Sequence, residues 1–71
     1  MPLFEVANYN SAVRQIVEEG GHHAEYKDDW ADIHYFEYQA VDENDARKRS
    51  QLRHPAHQGF VIADVARVKG S

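Results

Sequence analysis

The sequence predicts a small α+β domain, two helices packed on one face of a two- to three-stranded sheet in the order (β)αβαβ. Three observations carry that expectation. Residues 33–41 and 60–68 are rich in β-branched and aromatic side chains, apolar residues recur at helical spacing before the first run, and a capped, charged segment lies between the two. At 71 residues the chain is one domain, 1–71, whose thin core gives marginal stability.

Leu3 to Val6 reads as a short strand or an apolar arm. A helix is predicted from about Ser11 to Glu19, because Tyr9, Val13, Ile16, Val17 and Gly20 fall at helical spacing and Asn10 is a suitable N-cap. Gly20 and Gly21 supply the residue type that helices favour just past their end. His22 to Asp32 is polar and without a period, hence a connection, with Trp30 as its one large apolar residue.

Residues 33–41 alternate as a strand. Ile33, Tyr35, Glu37, Gln39 and Val41 take one face; His34, Phe36, Tyr38 and Ala40 take the other, more continuously apolar face, which is the predicted core side. Asp42 then caps a second helix. Glu43 and Asp45 complement its positive end, and Arg47 to Arg53 complement its negative end. Pro55 ends it at His54 or earlier. Ala46 and Ser50, continued by Leu52 or Arg53, form its narrow inner stripe. A last strand covers 60–68, and 69–71 form a tail. Strand order stays open: parallel if the two main strands are neighbours, mixed or antiparallel if residues 3–6 lie between them.

Charge is divided along the chain. Residues 1–45 hold eleven acids against two bases, and residues 46–71 hold six bases against one acid, so the halves carry −9 and +5. Such asymmetry predicts a polarised surface suited to a charged partner. Without cysteine there is no disulfide staple and no thiolate metal site, which leaves oligomerisation as the simplest reinforcement of so small a core. Neither a signal peptide nor a membrane-spanning run is legible, so the expected location is the cytoplasm.

Four constellations bear on function. Arg47, Lys48, Arg49 and Arg53 offer a basic helix for a nucleic-acid backbone, with Tyr35, Phe36 and Tyr38 as stacking aromatics, although the chain as a whole is acidic. His22, His23, Glu25, Asp28, Asp29, Asp32 and His34 include ligand types for zinc, nickel or iron, but at no diagnostic spacing, so no metal or other cofactor is expected. Paired acids and isolated serines give no nucleophile turn or phosphate loop, and no catalytic residue is assigned. Trp30 and Tyr26, flanked by Asp29 and Asp32, suit an aromatic anchor for a protein partner.

The resulting expectation is a non-enzymatic accessory or regulatory module acting through protein–protein contacts as a homodimer. Ile33, Tyr35, Val61 and Val65 form its self-contact. A nucleic-acid accessory protein is the alternative, and an acidic inhibitor that mimics nucleic acid is the second.

Overall fold

The structure, a computed structural model, describes residues 1–70. Strand β1 (Leu3–Asn10) runs directly into helix α1 (Ser11–Glu18), and a connection containing a 3-10 turn at Asp28–Ala31 leads to β2 (His34–Gln39). Helix α2 (Glu43–Arg53), a second 3-10 turn at Ala56–Gln58 and β3 (Phe60–Arg67) complete the chain. The order is thus βαβαβ. Of the expected tail 69–71, Lys69 and Gly70 form a turn, and Ser71 lies outside the described residues.

The sheet order is β2-β1-β3, antiparallel throughout, which resolves the strand order. The segment read as a short strand or arm is the eight-residue central strand. Phe4, Val6, Ala40, Ala46 and Val65 form the buried cluster on the face that α2 covers, with Tyr38 and Ile62 packed against it. The shortest Cα extent, 14 Å, holds the sheet and one layer beside it.

Polar residues complete that covered face. Asn8 is buried and donates from Nδ2 to Ser50 Oγ of α2 at 2.9 Å. Asn10 accepts from the Val13 amide at 3.1 Å as the expected N-cap and donates to the Gln58 carbonyl at 3.0 Å, joining α1 to the turn before β3. The Ser11 amide meets the Gly59 carbonyl at 2.8 Å. Gly59 is required here: its φ is +97°, and a Cβ would come within 2.6 Å of Asn10 Oδ1.

Both helices end as their sequences dictate. The Gly20 amide bonds the Val17 carbonyl and the Gly21 amide bonds the Ile16 carbonyl, the paired reversal of a Schellman motif, with Gly20 at φ +83°. Asp42 accepts from the Asp45 amide at 2.8 Å, capping α2. The inner stripe of α2 is Ala46 and Ser50, small enough for close approach to the sheet. Leu52 does not join it; it points outward and is 84% exposed.

One irregularity changes which residues share a face. Ala7 pairs with Asp64 but Asn8 pairs with Ile62, so Ala63 is the extra residue of a β-bulge. Before it the even residues Phe60 and Ile62 face α2; after it Val65 does. This corrects the expectation that Val61 and Val65 share the self-contact face. Val61 is at the surface and Val65 is buried in the core, opposite Val6.

Candidate interaction surface

Among the described residues the face of the sheet away from α2 is the more open one: Tyr35, Glu37, Gln39, Val61, Asp64 and Ala66 are exposed on it, Leu3, Glu5 and Tyr9 are half-buried, and Ala7 forms its buried floor. Cross-strand partners place their side chains on the same face, and the register therefore fixes its contents: Gln39, Glu37 and Tyr35 of β2, Leu3, Glu5, Ala7 and Tyr9 of β1, and Ala66, Asp64 and Val61 of β3. Tyr35 is 64% exposed. Apolar and aromatic groups occupy the end near Ala7, Tyr35 and Val61. Acids gather beside them, with Glu5 directly opposite Glu37 and Asp64 opposite Ala7. Like charges facing each other across a strand pair are unfavourable. At the Tyr9 end the Arg14 guanidinium lies 3.7 Å from the ring centroid, held also by its Nε bond to the Ala31 carbonyl at 2.8 Å. Ile33, just before β2, is 44% exposed.

The other sequence-expected groups lie elsewhere. Trp30 is half-buried and lies within 5.3 Å, centroid to centroid, of His34, His54 and Phe60, with Phe36 stacked at 6.1 Å. Its ring roofs one end of the core. Tyr26 meets Phe60 edge-on at 5.2 Å and donates from its hydroxyl to Gln58 Oε1 at 2.8 Å. Trp30 and Tyr26 therefore have intramolecular partners, while Asp29 and Asp32 are exposed beside them.

The histidines of the connection are directed to separate partners. His22 Nδ1 donates to the Asp28 carboxylate at 2.8 Å, His23 Nδ1 accepts from the Glu25 amide at 3.0 Å, and His34 Nε2 donates to the Asp29 carbonyl at 2.9 Å. Among the described residues no group of three or more histidine, aspartate or glutamate side chains is placed to hold a metal ion. An open cleft of about 450 Å³ runs past His23, Tyr26 and His57, and another of about 400 Å³ lies between β2 and α2 at Tyr38, Arg49 and Leu52.

On α2, Arg47, Lys48, Arg49 and Arg53 are all exposed. Arg49 Nε donates to Asp45 at 3.2 Å. The backbone amide of Val41 bonds the Asp45 carboxylate and, with Arg49 and Lys48 nearby, holds it below the usual range, against an opposing effect of burial. Of the three aromatics expected to accompany this helix, Tyr35 is on the opposite face of the sheet and Phe36 is in the Trp30 stack, while Tyr38 lines the cleft with Arg49, Leu52 and Arg53. Burial first, then the charge of Arg53 and proximity to His34, push the His54 imidazole below its ordinary pKa. Its Nδ1 is buried with no hydrogen-bond partner.

The bulge hid the uncovered face from the sequence. Strict alternation through 60–68 pairs Val61 with Val65, whereas register pairs Val61 with Tyr9 and brings Asp64 beside the acids of β1 and β2. No known protein family matches the chain, and no curated protein or solved structure matches it. No helix among the described residues is long and apolar enough to cross a membrane.

Proposed function

We propose that this chain is a non-enzymatic cytosolic module that works through protein–protein contact, and that its working surface is the uncovered face of the sheet. The observation carrying this reading is one of placement. The exposed aromatic and aliphatic side chains Tyr35 and Val61 stand on the more open sheet face, beside Ala7 and within reach of Glu5, Glu37 and Asp64. Apolar surface ringed by polar groups is the usual make-up of a contact site. Absence of cysteine agrees with a reducing compartment.

The test is capture from native lysate by immobilised wild-type protein and by Tyr35→Ser/Val61→Ser, both checked for folding by circular dichroism. The expected outcome is that bound proteins are lost with the double variant and kept with Trp30→Phe. Equal recovery by wild type and Tyr35→Ser/Val61→Ser contradicts the assignment.

A further inference from the structure

The two sides of the molecule are chemically complementary. On one side, Glu5, Glu37 and Asp64 lie on the uncovered sheet face next to Ala7, Tyr35 and Val61. On the other, α2 turns its charged surface outward. Successive helical residues are about 100° apart, so with Ala46 and Ser50 inward, Lys48 and Leu52 share the outer face, flanked by Arg47 on one side and on the other by Arg49, which is paired to Asp45. Leu52 is 84% exposed, the greatest exposure of any large hydrophobic side chain described. An isolated leucine beside arginine and lysine is the counterpart of an apolar patch beside three carboxylates.

Spacing matches as well as charge. Lys48 and Leu52 are four helical residues apart, about 6 Å along the axis. Glu5 and Ala7 are two strand residues apart, about 7 Å. A helix laid along β1 with Leu52 over Ala7, between Tyr35 and Asp64, puts Lys48 near Glu5 and Glu37. A symmetric face-to-face pair would instead oppose two acidic clusters, which repel.

Resting on the reading that the uncovered face is the working surface, we propose that its occupant is a second copy of this chain, docked by the outer face of its α2. Such contact is head-to-tail. Each molecule uses its sheet face toward one neighbour and its helix toward another, so the assembly grows into chains or closes into a ring and does not stop at a two-fold dimer. The footprint of three strands over eight residues is roughly 400 Å². That is below the ~800 Å² per partner of a standard interface, so the contact is weak and charge-dependent.

The experiment is sedimentation equilibrium on the full chain, at about 100 µM because small interfaces bind weakly. In low salt the weight-average mass of the wild type rises with concentration beyond that of a dimer, and ~0.5 M salt lowers the association constant about tenfold or more, the Debye length having shrunk to about 4 Å. Glu37→Lys/Asp64→Lys breaks the sheet side and Arg47→Ser/Lys48→Ser breaks the helix side without creating a charge-swapped pair, all at exposed positions. Each variant alone sediments as a monomer. An equimolar mixture forms a discrete dimer that grows no further, because each molecule retains one intact surface. A wild type that is monomeric in low salt, a wild-type dimer that does not grow, or a mixture that stays monomeric overturns the proposal. If the wild type stays monomeric while Tyr35→Ser/Val61→Ser still abolishes lysate capture, the second copy is excluded but the working surface stands; if neither is seen, both fall.

Discussion

The two faces of this sheet are built from the same three strands and differ only in which alternate residues they present. Toward α2 the strands show Phe4, Val6, Phe60 and Val65, with the polar exceptions Asn8 and Asn10 each given a partner. Away from it they show Tyr9, Tyr35 and Val61 among Glu5, Glu37 and Asp64. Buried area on the first face supplies the folding free energy. Carboxylates opposed on the second face work against it. Under the proposed function, that second face serves contact with another molecule and not the stability of the domain.

Substitutions at matched positions put a scale on this division. The largest effect belongs to Phe4→Ala, which empties the core and costs about 3–5 kcal/mol; a urea titration checks it, and against the 5–15 kcal/mol typical of whole domains this leaves little margin. Gly59→Ala comes next, at roughly 1–3 kcal/mol for the left-handed backbone alone, with the close approach to Asn10 added. Thermal melts that leave Gly59→Ala within error of the wild type would show that the joint between α1 and β3 matters little to the covered face.

Protonation probes the same face more gently. His54 titrates below the usual 6.5 because burial disfavours its charged form. Well above pH 6.5 it is neutral whether the chain is folded or not; as pH falls through that value, the unfolded chain takes up a proton that the folded chain resists, so stability declines by at most about 1.4 kcal/mol per pH unit, levelling off below the folded-state pKa. His54→Phe flattens that part of the stability–pH curve, and unchanged slopes between pH 5 and 7 would contradict the assignment.

The smallest stability effects belong to the uncovered face. Glu37→Gln relieves the opposition to Glu5 and raises stability by a few tenths of a kcal/mol. A loss above about 1 kcal/mol would show this face to be part of the fold after all, since surface changes stay within about 0.5 kcal/mol.

The order of β2, α2 and β3 was legible because each carries strong local signals: alternation at 33–41, the Asp42 cap, and Gly59 before a β-branched run; β2 itself is shorter than that alternation, His34–Gln39. Strand β1 was half-hidden. Its second half presents Asn8 and Asn10 to the core, and buried amides look like loop residues until their partners are known: Ser50 for the Asn8 Nδ2, whose buried Oδ1 has none, and Val13 and Gln58 for Asn10. Those partners are up to 48 residues away. The bulge at Ala63 was hidden for a related reason. Its phase shift depends on pairing with β1, which no local pattern in 60–68 reveals, and so Val65 was expected on the wrong face. Trp30 is the reverse case. A tryptophan among acids looks like an anchor locally, yet Phe36, His54 and Phe60 converge on it from three separate segments.

The most direct test of the division between faces is a dilution series followed by nuclear magnetic resonance. The account predicts concentration-dependent shifts at Ala7, Tyr35, Glu37, Val61 and Asp64, with those of Phe4, Val6 and Val65 constant. Spectra that do not change from dilute to concentrated solution would contradict the docking of a second copy, and changes confined to Phe4, Val6 and Val65 would contradict the division between the faces.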